Sequence, residues 1–147
     1  MTRNQFKAKT AARLLLGAIF TVFGLNGFFH FLPMPPPSGL AAAFLGGLAA
    51  SGYMFPLIKG TEVLMGLLLL SNRFVPLALT ILAPIVVNIV AFHAFLAPSG
   101  VALPLVIIAL GIYLAYTEGA AFAPILQARS NDAAPESARS GHAAAAA

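Results

Sequence analysis

FVPLALTILAPIVVNIVAFHAFL, residues 74–96, runs for 23 residues without a charged side chain. At about 1.5 Å per residue, a helix of that length reaches roughly 34 Å, enough to cross the hydrocarbon core of a bilayer. Ser71-Asn72-Arg73 precedes it and Ala97-Pro98-Ser99-Gly100 follows it, both with the composition of tight turns. Beyond these turns lie two more apolar runs, residues 53–70 and 101–122. A fourth, residues 14–32, follows Arg3, Lys7, Lys9 and Arg13. That basic flank resembles the start of a signal peptide, but the apolar run is long for one and no small-residue cleavage site follows promptly, so it reads as a retained span. The expected fold is all-α: a polytopic membrane four-helix bundle with spans at about 14–32, 53–70, 74–96 and 101–122.

The whole composition agrees. Of 147 residues, 60% are hydrophobic and only 8% charged, with mean hydropathy +0.93. A soluble domain carries about 25% charged residues, so a soluble enzyme is excluded. The net charge of +4 is scattered and gives no basic face, which argues against a nucleic-acid partner. The chain has no cysteine, which removes disulfides, Cys-ligated zinc and iron–sulfur ligation.

Prolines punctuate the runs. Pro33, Pro35, Pro36 and Pro37 end the first helix. Residues 38–50 are small, apolar and too short to span, and read as an interfacial or re-entrant helix, with a plain loop as the alternative. Pro56, Pro76 and Pro104 fall in first turns, where a missing N–H costs little. Pro84 lies inside the third span and predicts a kink that frees the Thr80 carbonyl. Residues 123–147 read as a polar, Ala-rich cytoplasmic tail without fixed structure.

Charge sets the orientation. In a four-span arrangement Arg3, Lys7, Lys9, Arg13, Arg73, Arg129 and Arg139 all fall on one side, and the opposite loops carry no Lys or Arg. Positive residues favour the cytoplasm, so both termini, including the basic residues 1–13, are expected there.

Two charges remain inside the membrane. Lys59 and Glu62 stand near the middle of the second span, where each costs roughly 2.5–3.5 kcal/mol on insertion scales. Three residues apart, they share a helix face and can neutralise one another. They have company. Counted from the outer helix ends, Asn26 and Lys59 lie about 9 Å down, and Asn88 and Glu62 roughly 12–14 Å. His30 and His93 lie within about 5 Å of the outer interface. The inner half is almost wholly apolar, apart from the tyrosines of the fourth span. There Tyr113 and Tyr116 share a face that can reach the carboxylate or fill the core. Asn26 and His30 share one face of the first span, while Gly17, Thr21 and Gly24 form a small-residue stripe on the other, suited to a neighbouring helix or subunit. The histidines permit a bis-His haem on facing helices, but helix-end capping is the simpler reading. No third group completes a metal set. No Walker loop, nucleophile elbow or dinucleotide fingerprint is present, so no self-contained catalytic motif is read.

RLLLGAIFTVFGLNGFFHFLP (residues 13–33), SGYMFPLIKGTEVLMGLLLL (51–70) and RFVPLALTILAPIVVNIVAFHAFLAPSG (73–100) resemble the DoxX family of small bacterial membrane proteins. The likeness covers roughly residues 12–120. It is most specific at the Gly-Leu-Asn-Gly-Phe stretch, at the Lys59/Glu62 pair and at the Asn88/His93 segment. The resemblance implies a four-span protein of the bacterial inner membrane, loosely linked to quinone-coupled redox systems. Some relatives carry cysteines; this chain has none, which speaks against a thiol-dependent role.

Three functions remain open at this level. One is a redox-associated accessory that binds a quinone or other lipophilic ligand at Lys59, Glu62, Asn26 and Asn88, with His30, His93 and Tyr113 nearby and membrane redox proteins as partners. Another is a non-catalytic scaffold in membrane lipid. The third is a small proton-coupled transporter subunit, a homo-oligomer formed through the Gly17/Thr21/Gly24 stripe.

Overall fold

The computed structural model describes residues 2–124; the expectations for the rest of the tail, Arg129 and Arg139 included, lie outside the described residues. Helix α1 (Arg3–Phe29) starts earlier than its apolar run suggests. A capping box explains this: Thr2 Oγ1 accepts from the Gln5 N–H, and Gln5 Oε1 accepts from the Thr2 N–H, so the basic residues continue the helix outward. At its other end α1 stops at Phe29, three residues short of the expected limit, because His30 turns left-handed at φ 51°.

Helix α2 (Gly39–Ala50) is the short apolar helix expected between the first two runs. Gly52, at φ 75°, takes the turn that follows, and α3 (Met54–Leu70) leaves at about a right angle, bent 90° from α2. Ser71 to Phe74 reverses the chain, with Asn72 and Phe74 both left-handed. Helix α4 (Val75–Phe95) runs uninterrupted through Pro84. After a 3₁₀ turn (Pro98–Gly100), α5 (Ala102–Thr117) returns. The fourth apolar run is not one helix to residue 122, as expected: Glu118 ends α5, and a single turn, α6 (Gly119–Phe122), follows. No strand occurs among the described residues.

By length and composition, α1 and α4 can each cross a membrane. The bent α2–α3 pair meets the same criterion only jointly, as a broken span or a re-entrant loop, while α5 is shorter. Two to three candidate crossings mark a membrane-embedded, all-helical protein.

Glycine sets how the helices meet. A Cβ on Gly66 of α3 would stand 2.7 Å from the Thr21 nitrogen and 2.9 Å from the Gly17 oxygen. One on Gly24 would stand 2.7 Å from a Val63 methyl and 3.0 Å from its backbone nitrogen. The small-residue stripe of α1 is therefore used inside the chain, against α3, and is not free to receive another copy. This close approach makes α1–α3 the most extensive helix pair; α3 also packs on α4, α4 on α5, and α5 back on α1, closing a ring.

The ring is solid at one end. Leu16, Phe20, Met65, Leu69, Ala78, Leu82, Ile107 and Leu114 form its buried core. Below them Arg13 is buried, and its Nη1 donates to the carbonyls of Leu69 and Leu70 at the end of α3. That contact gives the Leu70 carbonyl its partner, adds to the turn bond from Asn72 N–H on Leu69, and places positive charge at the negative end of the dipole. Lys9 pairs with Glu118 at 2.8 Å, tying the start of α1 to the end of α5.

Candidate functional site

At the other end the ring opens. A cavity of about 910 Å³ lies among α1, α3, α4 and α5, with α2 along its wall. Phe20 and Ile107, both buried, line it and also belong to the core, so the cavity abuts the packed half of the bundle. Most of its lining is aliphatic or aromatic. Six of the seven residues singled out from the sequence share this one cavity: Asn26, His30, Lys59, Glu62, Asn88 and His93.

Lys59 and Glu62 form its charged centre. Nζ lies 2.8 Å from Oε2 of Glu62, one turn further along α3. Glu62 is almost wholly buried, with 3% of its side chain exposed, whereas Lys59 keeps 22%. The ammonium also stands 5.9 Å from the Phe55 ring centroid, where the ring's face attracts a cation. Its stem lies along α1 because Gly27 leaves room: a Cβ there would meet Lys59 Cγ and Cδ at 2.6 Å. Gly27 thus admits the lysine to the cavity, a role that nothing in its sequence position beside Asn26 signals.

Asn26 also has a structural task. Its Oδ1 accepts the Leu32 N–H at 2.6 Å, and its backbone carbonyl accepts the His30 N–H at 2.9 Å. The side chain holds the left-handed turn that ends α1, and its amide nitrogen, both N–H donors unused among the described residues, is left for a ligand. His30, at that turn, is exposed on the cavity rim.

On α4 the cavity wall runs from Pro84 through Asn88 to His93. Residues five apart stand about 140° round an ideal helix, so this face is broad. His93 Nδ1 lies 2.8 Å from the Ile89 carbonyl. A carbonyl only accepts, so Nδ1 carries the hydrogen and Nε2 is the ring nitrogen left for a ligand. Phe92 stacks at a tilt on Phe44 of α2, centroids 5.7 Å apart, which joins the short helix to the wall. Asn88 is exposed to the open space and makes no hydrogen bond among the described residues.

Tyr113 does not belong here. It packs against the apolar core from α5 and is absent from the cavity wall, and Tyr116 is 85% exposed. The helical wheel gave both tyrosines one face but not the neighbour that face meets. No group of three metal-ligating side chains forms among the described residues.

Arg13 was hidden from sequence reading for the opposite reason. A basic residue before an apolar run already has an explanation in membrane orientation, so its helix-capping contact has no separate signature.

Compared with protein-family models, with curated proteins and with solved structures, the chain finds no match.

Proposed function

We propose that this chain is a four-span, DoxX-like protein of the bacterial inner membrane, with both termini cytoplasmic, that binds a quinone or similar lipophilic ligand as a redox-associated accessory. One observation carries the reading: a partly exposed ammonium, the Asn26 and Asn88 amides and two imidazoles share a single, mostly apolar cavity with a buried carboxylate. Small-molecule sites have this form, a greasy enclosure with a few convergent polar groups. Lys59 supplies hydrogen-bond donors to a ligand carbonyl, and Glu62 is placed to exchange a proton with it. In the four-span arrangement α5 and the α2–α3 pair join α1 and α4 as crossings, and the Arg13, Arg73 and Lys9/Glu118 end faces the cytoplasm.

Purified protein in mild detergent tests this. Extraction and identification of bound lipids should recover a quinone or another lipophile, and quinone-difference spectra should show a bound species. Lys59→Met should abolish it. The double variant Lys59→Met/Glu62→Leu, which leaves no unpaired charge, serves as the folded control. If wild type carries and binds no lipophile, the reading is wrong.

The pairing itself favours a second reading. Lys59 and Glu62 already satisfy one another at 2.8 Å, as a register-fixing pair in a scaffold would. That reading expects the double variant to keep both stability and phenotype. The transporter reading loses its route to oligomerisation, since the Gly17/Thr21/Gly24 stripe is occupied by α3.

A further inference from the structure

Among the described residues that line the cavity, a single ion pair supplies the ammonium and the carboxylate. Among the residues that line it, Lys59 and Glu62 are the only Lys, Arg, Asp or Glu, and they sum to zero. His30 and His93 are the remaining titratable groups, one on the rim and one with Nδ1 committed to Ile89. An electrically balanced site in a low-dielectric setting is not indifferent to what enters it. A ligand carrying an anionic head makes Lys59 serve two anions at once, in a place where charges interact far more strongly than in water.

The unused hydrogen-bonding capacity says what the site can accept instead. One of the three Lys59 N–H donors goes to Glu62. The Asn26 amide nitrogen and the whole Asn88 amide make no hydrogen bond among the described residues. An acceptor remains as well: Glu62 Oε1 has no hydrogen-bond partner there, and His93 Nε2 is also uncommitted. Thr21 Oγ1 is the single buried side-chain polar atom without a partner among the described residues, so Glu62 Oε1 keeps some contact with open space. The wall therefore offers donors and acceptors together, beside a pair with no net charge.

We propose that the Lys59–Glu62 pair acts as a charge filter: the cavity takes neutral amphiphiles whose head carries an oxygen acceptor or a hydroxyl, and rejects amphiphiles with an anionic head. This rests on the lipophile-binding reading above and deepens it by naming the ligand class. Glu62 sets the class by cancelling the lysine. Removing its charge while keeping its shape leaves Lys59 uncompensated and turns the cavity into an anion site.

The test uses dodecanol and dodecanesulfonate, which share a tail and differ in head charge. Binding of each to full-length protein in nanodiscs is measured against empty nanodiscs. Wild type should prefer dodecanol by about tenfold or more, the scale set by one uncancelled charge at reduced dielectric. Glu62→Gln should reverse the preference, and Lys59→Arg, which keeps the pair, should retain the wild-type order. If Glu62→Gln does not fold, wild type and Lys59→Arg still decide. Equal binding of the two probes to wild type overturns the filter and leaves the cavity reading standing. No binding of either probe to any variant overturns both. Reversal absent in a folded Glu62→Gln protein removes Glu62 as the selecting group.

Discussion

Gly27 and Gly66 illustrate how two residues of one type fail differently. A methyl on Gly66 meets backbone atoms of Thr21 and Gly17, which cannot move without separating α1 from α3. Gly66→Ala should therefore destabilise the protein by about 1–3 kcal/mol, the range for overpacking, seen as a lower midpoint in detergent-monitored thermal unfolding. The three atoms nearest to a methyl on Gly27 all belong to the flexible stem of Lys59. Gly27→Ala should leave the unfolding midpoint near wild type but weaken ligand retention, because the ammonium is displaced from the cavity. Gly60, with open space where its side chain would be, is the internal control: Gly60→Ala should unfold no earlier than wild type. Lys59 and Glu62 were legible from the sequence because a charge in an apolar run is costly and so conspicuous. Asn26 was legible as polar and buried, but not as the holder of a turn, since that depends on a left-handed residue four positions on.

At the scale of elements, the contrast is between α3, whose last carbonyls are held by Arg13 from α1, and α2, whose start has no side-chain cap. Arg13 reaches across to cap α3, and Arg13→Gln should cost about 1–2 kcal/mol through lost carbonyl contacts and dipole stabilisation. Lys9→Gln should cost less, under about 1 kcal/mol, because its pair with Glu118 is partly exposed. Helix α2 has no side-chain cap at its start and buries only Ala41. Its amides should exchange hydrogen faster than those of α1 and α3 in nanodiscs, and protection equal to α3 would contradict its loose attachment. Hydrophobic run length located these helices well. It could not foresee that α1 begins at Arg3, where the Thr2 cap rather than hydropathy decides, nor that Glu118 interrupts the last run.

On the scale of the molecule, the packed end and the open end are the two facts that matter. The chain has no cysteine, so single cysteines can be placed without background. With the proposed orientation, Ser99→Cys should react with a membrane-impermeant maleimide on intact cells or spheroplasts, and Asn72→Cys only after permeabilisation. The reverse pattern would invert the topology. The asymmetry of polar residues between the two halves was visible in the sequence as depth along each run. The cavity was not, because its existence depends on how far four helices splay, which no single run encodes.

The pairing of Lys59 with Glu62 has an electrical consequence. A transmembrane voltage acts on net charge displaced along the field, at about 2.3 kcal/mol per elementary charge per 100 mV. A site whose two charges cancel across 2.8 Å presents almost nothing for that field to pull on. If its ligand is also neutral, filling or emptying the cavity moves no charge, so occupancy stays the same in energised and de-energised membranes alike.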